Sequence, residues 1–203
     1  MRKVTLAELR TIADASREAI WEKAGNCGRE PKLYLHWSAG RYDTCFDDYH
    51  INITGNGDIY VSTEDFAETL SHTWKRNTGS IGISLCCCYN GTSEDLGEYP
   101  PTQAQIETMA QVIWIVADAL WLSIDKAHVL THSEGADNED GLYCHEPYGA
   151  KSTCERWDLE YLGTEDSPSF NPWAEDGSRG GDVLRGKANW YRETYGNGME
   201  ANI

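Results

Sequence analysis

The run Ser80–Tyr89 (SIGISLCCCY) limits the possible folds more than any other segment. It is continuously apolar over the length of one strand, which suits a central strand covered on both faces. Covering both faces requires helices, and the chain has them. Thr5 to Lys23 places Leu6, Leu9, Ile12, Ala13, Ile20 and Trp21 at amphipathic-helix spacing, with Ser16 on the same stripe and Gly25 and Gly28 at its end. Thr102 to Ser123 starts after Pro100 and Pro101 and repeats the helical period from Ile106 to Trp121. Lys32–Trp37 (KLYLHW) and Ala127–Thr131 (AHVLT) read as strands. Tyr49–Thr54 and Ile59–Ser62, joined by GNGD, read as a hairpin. Thr63, followed by Glu64 and Asp65, predicts the N-cap of a short helix reaching His72. Asp182–Tyr195 predicts a last helix, and the acidic, glycine-containing stretch 135–155 a long functional loop. This alternation predicts an α/β fold: one domain over residues 1–203, with a central mixed β-sheet flanked by helices, a core over about 30–165 and a helical extension over about 178–197.

Charge narrows the partners. A formal net charge of −16 opposes binding to nucleic acid, which needs clustered Lys and Arg, and to anionic membranes. The most apolar run, Val112–Ile124, is short for a bilayer and contains Asp118, so no membrane insertion is expected. MRKVTLAELR has no apolar stretch after its basic residues, so no signal peptide is expected and the protein is placed in the cytoplasm until released. Seven cysteines occur without a CxxC. Cys86, Cys87 and Cys88 read as small buried hydrophobes, and Cys144 and Cys154 as the better candidates for a bond or a metal.

Three side chains suited to a catalytic zinc sit at strand ends or beside them. His36 closes KLYLHW, His132 closes AHVLTH, and Asp158 lies in RWDL. Two imidazoles and a carboxylate leave a fourth position for water, although a lone strand-end His is more often a hydrogen-bonded structural residue. Glu134, two residues after His132, is either a general base or support for the site. Trp37 either stacks on a sugar or covers the core. His72 either lines a groove or packs there. His50 and His128 read as structural, and His145 lies between Cys144 and Glu146 in the insertion.

The segments LHWSAG at 35–40, DDYHINITGNGDIY at 47–60, SHTWKRNTGSIGIS at 71–84, PPTQAQIETMAQVI at 100–113 and THSE at 131–134 resemble the type 2 N-acetylmuramoyl-L-alanine amidases, which share a fold with peptidoglycan recognition proteins and many phage endolysins. RWDLEYL at 156–162 is similar to the third-ligand region of a phage-type branch. The resemblance covers roughly residues 30–165. It implies one Zn2+ per chain held by His36, His132 and Asp158, with Tyr49 and Arg156 lining the reaction centre, and Trp37 and His72 as substrate-binding candidates. It implies hydrolysis of the amide between N-acetylmuramic acid and L-alanine in peptidoglycan. The RWDL and GGDVLRGKANWY segments suggest a phage or prophage endolysin, a monomer that reaches the wall through a holin or a similar partner.

The chain departs from the pattern before the third ligand. Many relatives approach it through a short Asp-Pro-Gly loop. Here residues 133–157 intervene, and Asp137, Asp140, Cys144, His145 and Cys154 compete with Asp158. Other functions fit less well. A muropeptide receptor of the same fold would lack a ligand, and all three are present. A zinc deaminase would pair its H-x-E with a downstream P-C-x-x-C, which this sequence lacks. Redox regulation through the cysteines leaves no mark on the sequence.

Overall fold

The computed structural model describes residues 1–144 and 158–196. Six strands form one mixed sheet: β1 (Arg2–Val4), β2 (Lys32–Trp37), β3 (Ile51–Ile53), β4 (Ile59–Val61), β5 (Ser80–Leu85) and β6 (Val129–Thr131). Their order is β1-β4-β3-β5-β2-β6. From β3 to β6 the neighbours run parallel, while β4 and β1 close one edge antiparallel. The helices are α1 (Leu6–Asn26), α2 (Gln103–Ala119), the single turn α3 (His132–Ala136) and α4 (Gly180–Tyr195). α2 packs on β3 and β5 and touches both α1 and α4, and α4 also reaches β6. The α/β architecture with a mixed central sheet is the one expected from the sequence.

The two faces of the sheet differ because strand side chains alternate. Leu33, Leu35, Trp37, Ile51, Ile53, Ile81, Ile83 and Leu85 join the hydrophobic core with Ile106, Met109 and Ile113 of α2. The alternate positions Tyr34, His36, Asn52, Ser80, Gly82 and Ser84 are buried yet stand outside that core cluster. The small residues of β5 make room on this second face. A Cβ on Gly82 would lie 2.6 Å from Cγ of His72, so only glycine lets that imidazole lie on the strand.

Several elements differ from the sequence reading. β5 stops at Leu85, and Cys88 takes φ 64°, a left-handed conformation that ends strand geometry. All three cysteines are fully buried, as expected. Residues 63–72 form turns instead of the expected helix. There, side chains satisfy the backbone in place of a helical ladder: Thr63 Oγ1 accepts from the Asp65 amide at 3.1 Å, and Asp65 accepts from the Ala67 amide at 3.0 Å. Ser16 takes the Phe66 amide, while Lys23 and His50 donate to the carbonyls of Ala67 and Glu68. The edge strand β1 is an addition, in a segment read only for targeting. α2 ends at Ala119 instead of Ser123, with Trp121 at φ 61° just beyond it.

Candidate metal centre

Strand register brings the first two donors together. Leu35 of β2 pairs in parallel with Thr131 of β6, so His36 and His132 are the next residues on adjacent strands. Parallel neighbours lie about 4.8 Å apart, and the two imidazole centroids are 4.9 Å apart. His132 is already the first residue of α3, capped by Thr131, rather than the last of its strand. Asp158 arrives from the far side of the insertion and is fully buried. One of its oxygens, Oδ2, lies 3.2 Å from His36 Nδ1 and 3.4 Å from His132 Nδ1. Among the described residues, His36, His132 and Asp158 are the group whose donor atoms could hold one metal ion, all within 4.8 Å of one another. Asp140 is instead bound to Arg76 and Tyr34. Asp137 and Cys144 do not join the group, and His145 and Cys154 lie outside the described residues.

The donor set passes a simple fit test. Ligands at 2.0–2.2 Å from a tetrahedral centre sit about 3.3–3.6 Å from one another, close to the 3.2 and 3.4 Å that separate Asp158 Oδ2 from the two Nδ1 atoms. The other nitrogen of His36, Nε2, meets Thr73 Oγ1 at 3.3 Å. A hydroxyl accepting there fixes the tautomer that leaves Nδ1 free to ligate. Thr73 carried no signal in the sequence, because a threonine in a turn has many roles.

Around the donors lies a layer of aromatic rings. Tyr49 is 6% exposed, and its ring centroid is 5.0 Å from that of His36. His72 meets His36 edge-on at 5.4 Å and is also buried. Burial, reinforced by the imidazoles of His36, His50 and His132, holds His72 well below the usual histidine range and therefore neutral. His50 is structural, as read: its Nε2 donates to the Glu68 carbonyl and its Nδ1 accepts the Gly82 amide.

Three candidate site residues each carried two readings, and their burial bears on the choice. Trp37 is 5% exposed inside the hydrophobic core, so the packing alternative describes it and no face is left for a sugar. His72 likewise packs against the strand and offers little surface to a ligand. Glu134 is 1% exposed, and its two oxygens receive Arg185 Nη1 and Nη2 at 2.8 Å each. Burial alone would raise the Glu134 carboxyl, but the Arg185 guanidinium outweighs it and sets the pKa at about 2. So weak a base, with both oxygens engaged, does not suit general-base chemistry near neutral pH. The sequence did hold the alternative: Thr131-His-Ser-Glu134 is a capping box, with the Glu134 carboxylate accepting the Thr131 amide at 2.9 Å. Arg156 lies outside the described residues.

Comparison with known families places the chain. A family model described as N-acetylmuramoyl-L-alanine amidase matches residues 14–147, well over half of the sequence. The match takes in His36 and His132 and ends before Asp158. No curated protein and no solved structure matches at a significant level. With the mixed sheet and the two histidines of adjacent strands in place, the chain belongs to the N-acetylmuramoyl-L-alanine amidase family, and that membership supports amide hydrolysis in peptidoglycan.

Proposed function

We propose that this protein is a zinc-dependent hydrolase of the amide between N-acetylmuramic acid and L-alanine, with the metal held by His36, His132 and Asp158. The observation that carries the reading is the convergence of these three buried donors in a chain of the amidase family. Bound there, zinc supplies a Lewis acid that polarises the scissile carbonyl and activates water. The chain's own residues do the rest. Thr73 orients His36 through Nε2. The Tyr49 ring packs on His36, and its phenol and Arg156 are assigned as donors to the oxyanion of the tetrahedral intermediate. Buried walls exclude bulk water, which strengthens every such contact. Glu134 is assigned a supporting role in place of the general base.

The lysis role is part of the same proposal: a phage or prophage endolysin, acting as a monomer and reaching the wall with a holin or a similar partner. It is supported by the likeness of RWDL and GGDVLRGKANWY to endolysin segments. Among the described residues no helix is long and apolar enough to cross a membrane.

Zinc analysis and peptide release from purified peptidoglycan test the chemistry. The wild type should hold about one zinc per chain, release peptides that begin with L-alanine, and stop when chelated. His132→Ala should lose both metal and release. Turnover by metal-free protein refutes the mechanism. Zinc-loaded protein that binds wall fragments without cutting them identifies a receptor instead.

A further inference from the structure

His132 and Asp158 are carried by separate segments, yet each is followed two residues later by a buried glutamate: Glu134 is 1% and Glu160 2% exposed. Each glutamate is gripped by an arginine of α4 or its cap. Arg185 takes Glu134 through two bonds of 2.8 Å, and Arg179, the N-cap of α4, takes Glu160 at 2.6 and 3.1 Å. Ser133 Oγ donates to Glu160 Oε2 at 2.8 Å, so the two segments are bonded to each other beside their metal donors.

The link between Asp158 and Glu160 is strained. Leu159 is fully buried and holds φ 60°, a left-handed conformation that residues with a Cβ rarely adopt. Such a turn persists only where its surroundings enforce it. α4 does so: the Gly180 amide donates to the Glu160 carbonyl at 2.9 Å, and a Cβ on Gly180 would come within 2.1 Å of the Leu159 carbonyl oxygen.

We propose that the start of α4 is a positioning clamp for the metal centre, with Arg179, Glu160 and Ser133 setting Asp158 against His132. The inference rests on the metal reading above and deepens it. Buried ion pairs of this kind contribute little net stability compared with well-packed apolar side chains, but they fix geometry. A three-donor site needs fixed geometry, because donors that must be gathered at binding lower the affinity. Arg179 and Glu160 lie beyond residues 14–147, so the clamp ties Ser133, inside the matched region, to a part of this chain that the family model does not cover.

Zinc affinity, measured by competition with a chromophoric chelator on proteins shown by circular dichroism to be folded, tests the clamp. Ser133→Ala and Glu160→Gln should each weaken zinc binding about 10-fold or more. Leu184→Ala removes a fully buried core side chain of α4 that makes none of the clamp's hydrogen bonds. It should lower the melting temperature and leave zinc affinity unchanged. Wild-type affinity in both clamp variants overturns the clamp and leaves the metal site standing. Equal weakening by Leu184→Ala also overturns it, since α4 would then matter only as bulk support. Failure of the wild-type protein to bind zinc overturns the metal reading and the clamp together.

Discussion

Truncating Arg76 should be among the most damaging changes available outside the metal centre. Its side chain is fully buried in the turn before β5. Nε and Nη2 reach the two oxygens of Asp140 at 2.6 and 3.1 Å, and Nη2 also serves Asn138 Oδ1 at 2.9 Å and the Leu142 carbonyl at 2.8 Å. The Tyr34 phenol donates to Asp140 at 2.6 Å, and burial followed by that carboxylate pushes its pKa well above the usual range, keeping it a donor. Arg76→Ala would leave Asp140 with the Tyr34 hydroxyl and the Leu142 amide but without the guanidinium bound to both its oxygens. An ion pair in solvent is worth about 0–1 kcal/mol, whereas stranding one partner of a buried pair costs about 3–5 kcal/mol. For a chain of this size each kcal/mol lowers the melting temperature by about 2–4 °C, so a fall of about 6–20 °C is expected. Urea and thermal unfolding of Arg76→Ala, Asp140→Asn and the double variant give a complete cycle. The two changes should couple by about 2 kcal/mol, because removing the stranded charge relieves much of the loss. A cost below about 1 kcal/mol, or additive single effects, would refute the argument that this pair is shielded from water.

Two further outcomes follow from individual residues. Burial pushes the His50 pKa down to about 4, and its Nδ1 is occupied by the Gly82 amide, so the folded state holds the ring neutral. The unfolded chain takes up the proton first, near 6.5. Stability present above that pH should therefore fall by up to about 3 kcal/mol as pH drops through about 4, and His50→Asn should flatten that slope in urea titrations. Within α4 the glycines should behave oppositely. Gly180→Ala forces backbone apart at Leu159 and should cost at least about 2 kcal/mol. A Cβ on Gly186 meets nothing within 4 Å, so Gly186→Ala should stabilise by about 0.4–1 kcal/mol. Equal effects in urea unfolding would show that the close approach at Gly180 does not exist.

What the sequence disclosed depended on whether the signal was local. Thr5 with Glu8 and Thr102 with Gln105 form reciprocal caps, so the starts of α1 and α2 were legible from a few residues. β2 was legible to its boundaries because its type and both ends coincide with a change in hydrophobicity. β1 was not, since three residues carry no periodicity and become a strand only by pairing with β4. The apolar run at 80–89 suggested a central strand covered on both faces, and β5 is buried throughout; its Ser-Ile-Gly-Ile-Ser-Leu alternation holds isoleucine and leucine to the core and leaves room for His72 opposite. The metal donors could be proposed by residue type and likeness to a family, and strand register then accounts for the meeting of the two histidines. Glu134 shows the limit: nothing near it in sequence announces Arg185, which is brought by tertiary packing and favours the supporting alternative over the base.

On either side of residues 145–157 the described chain is tied down independently, by Arg76 on Asp140 before them and by Arg179 on Glu160 after them. Neither tie depends on the length of chain between them, and each doubling of such a connection costs only about 0.6 kcal/mol in closure entropy. Changes of length or sequence over residues 145–155, with Arg156 kept, should therefore leave Asp158 beside the histidines. Two anchors so placed uncouple the position of Asp158 from the sequence before Arg156, and they make residues 145–155 the interval in which to try a changed specificity.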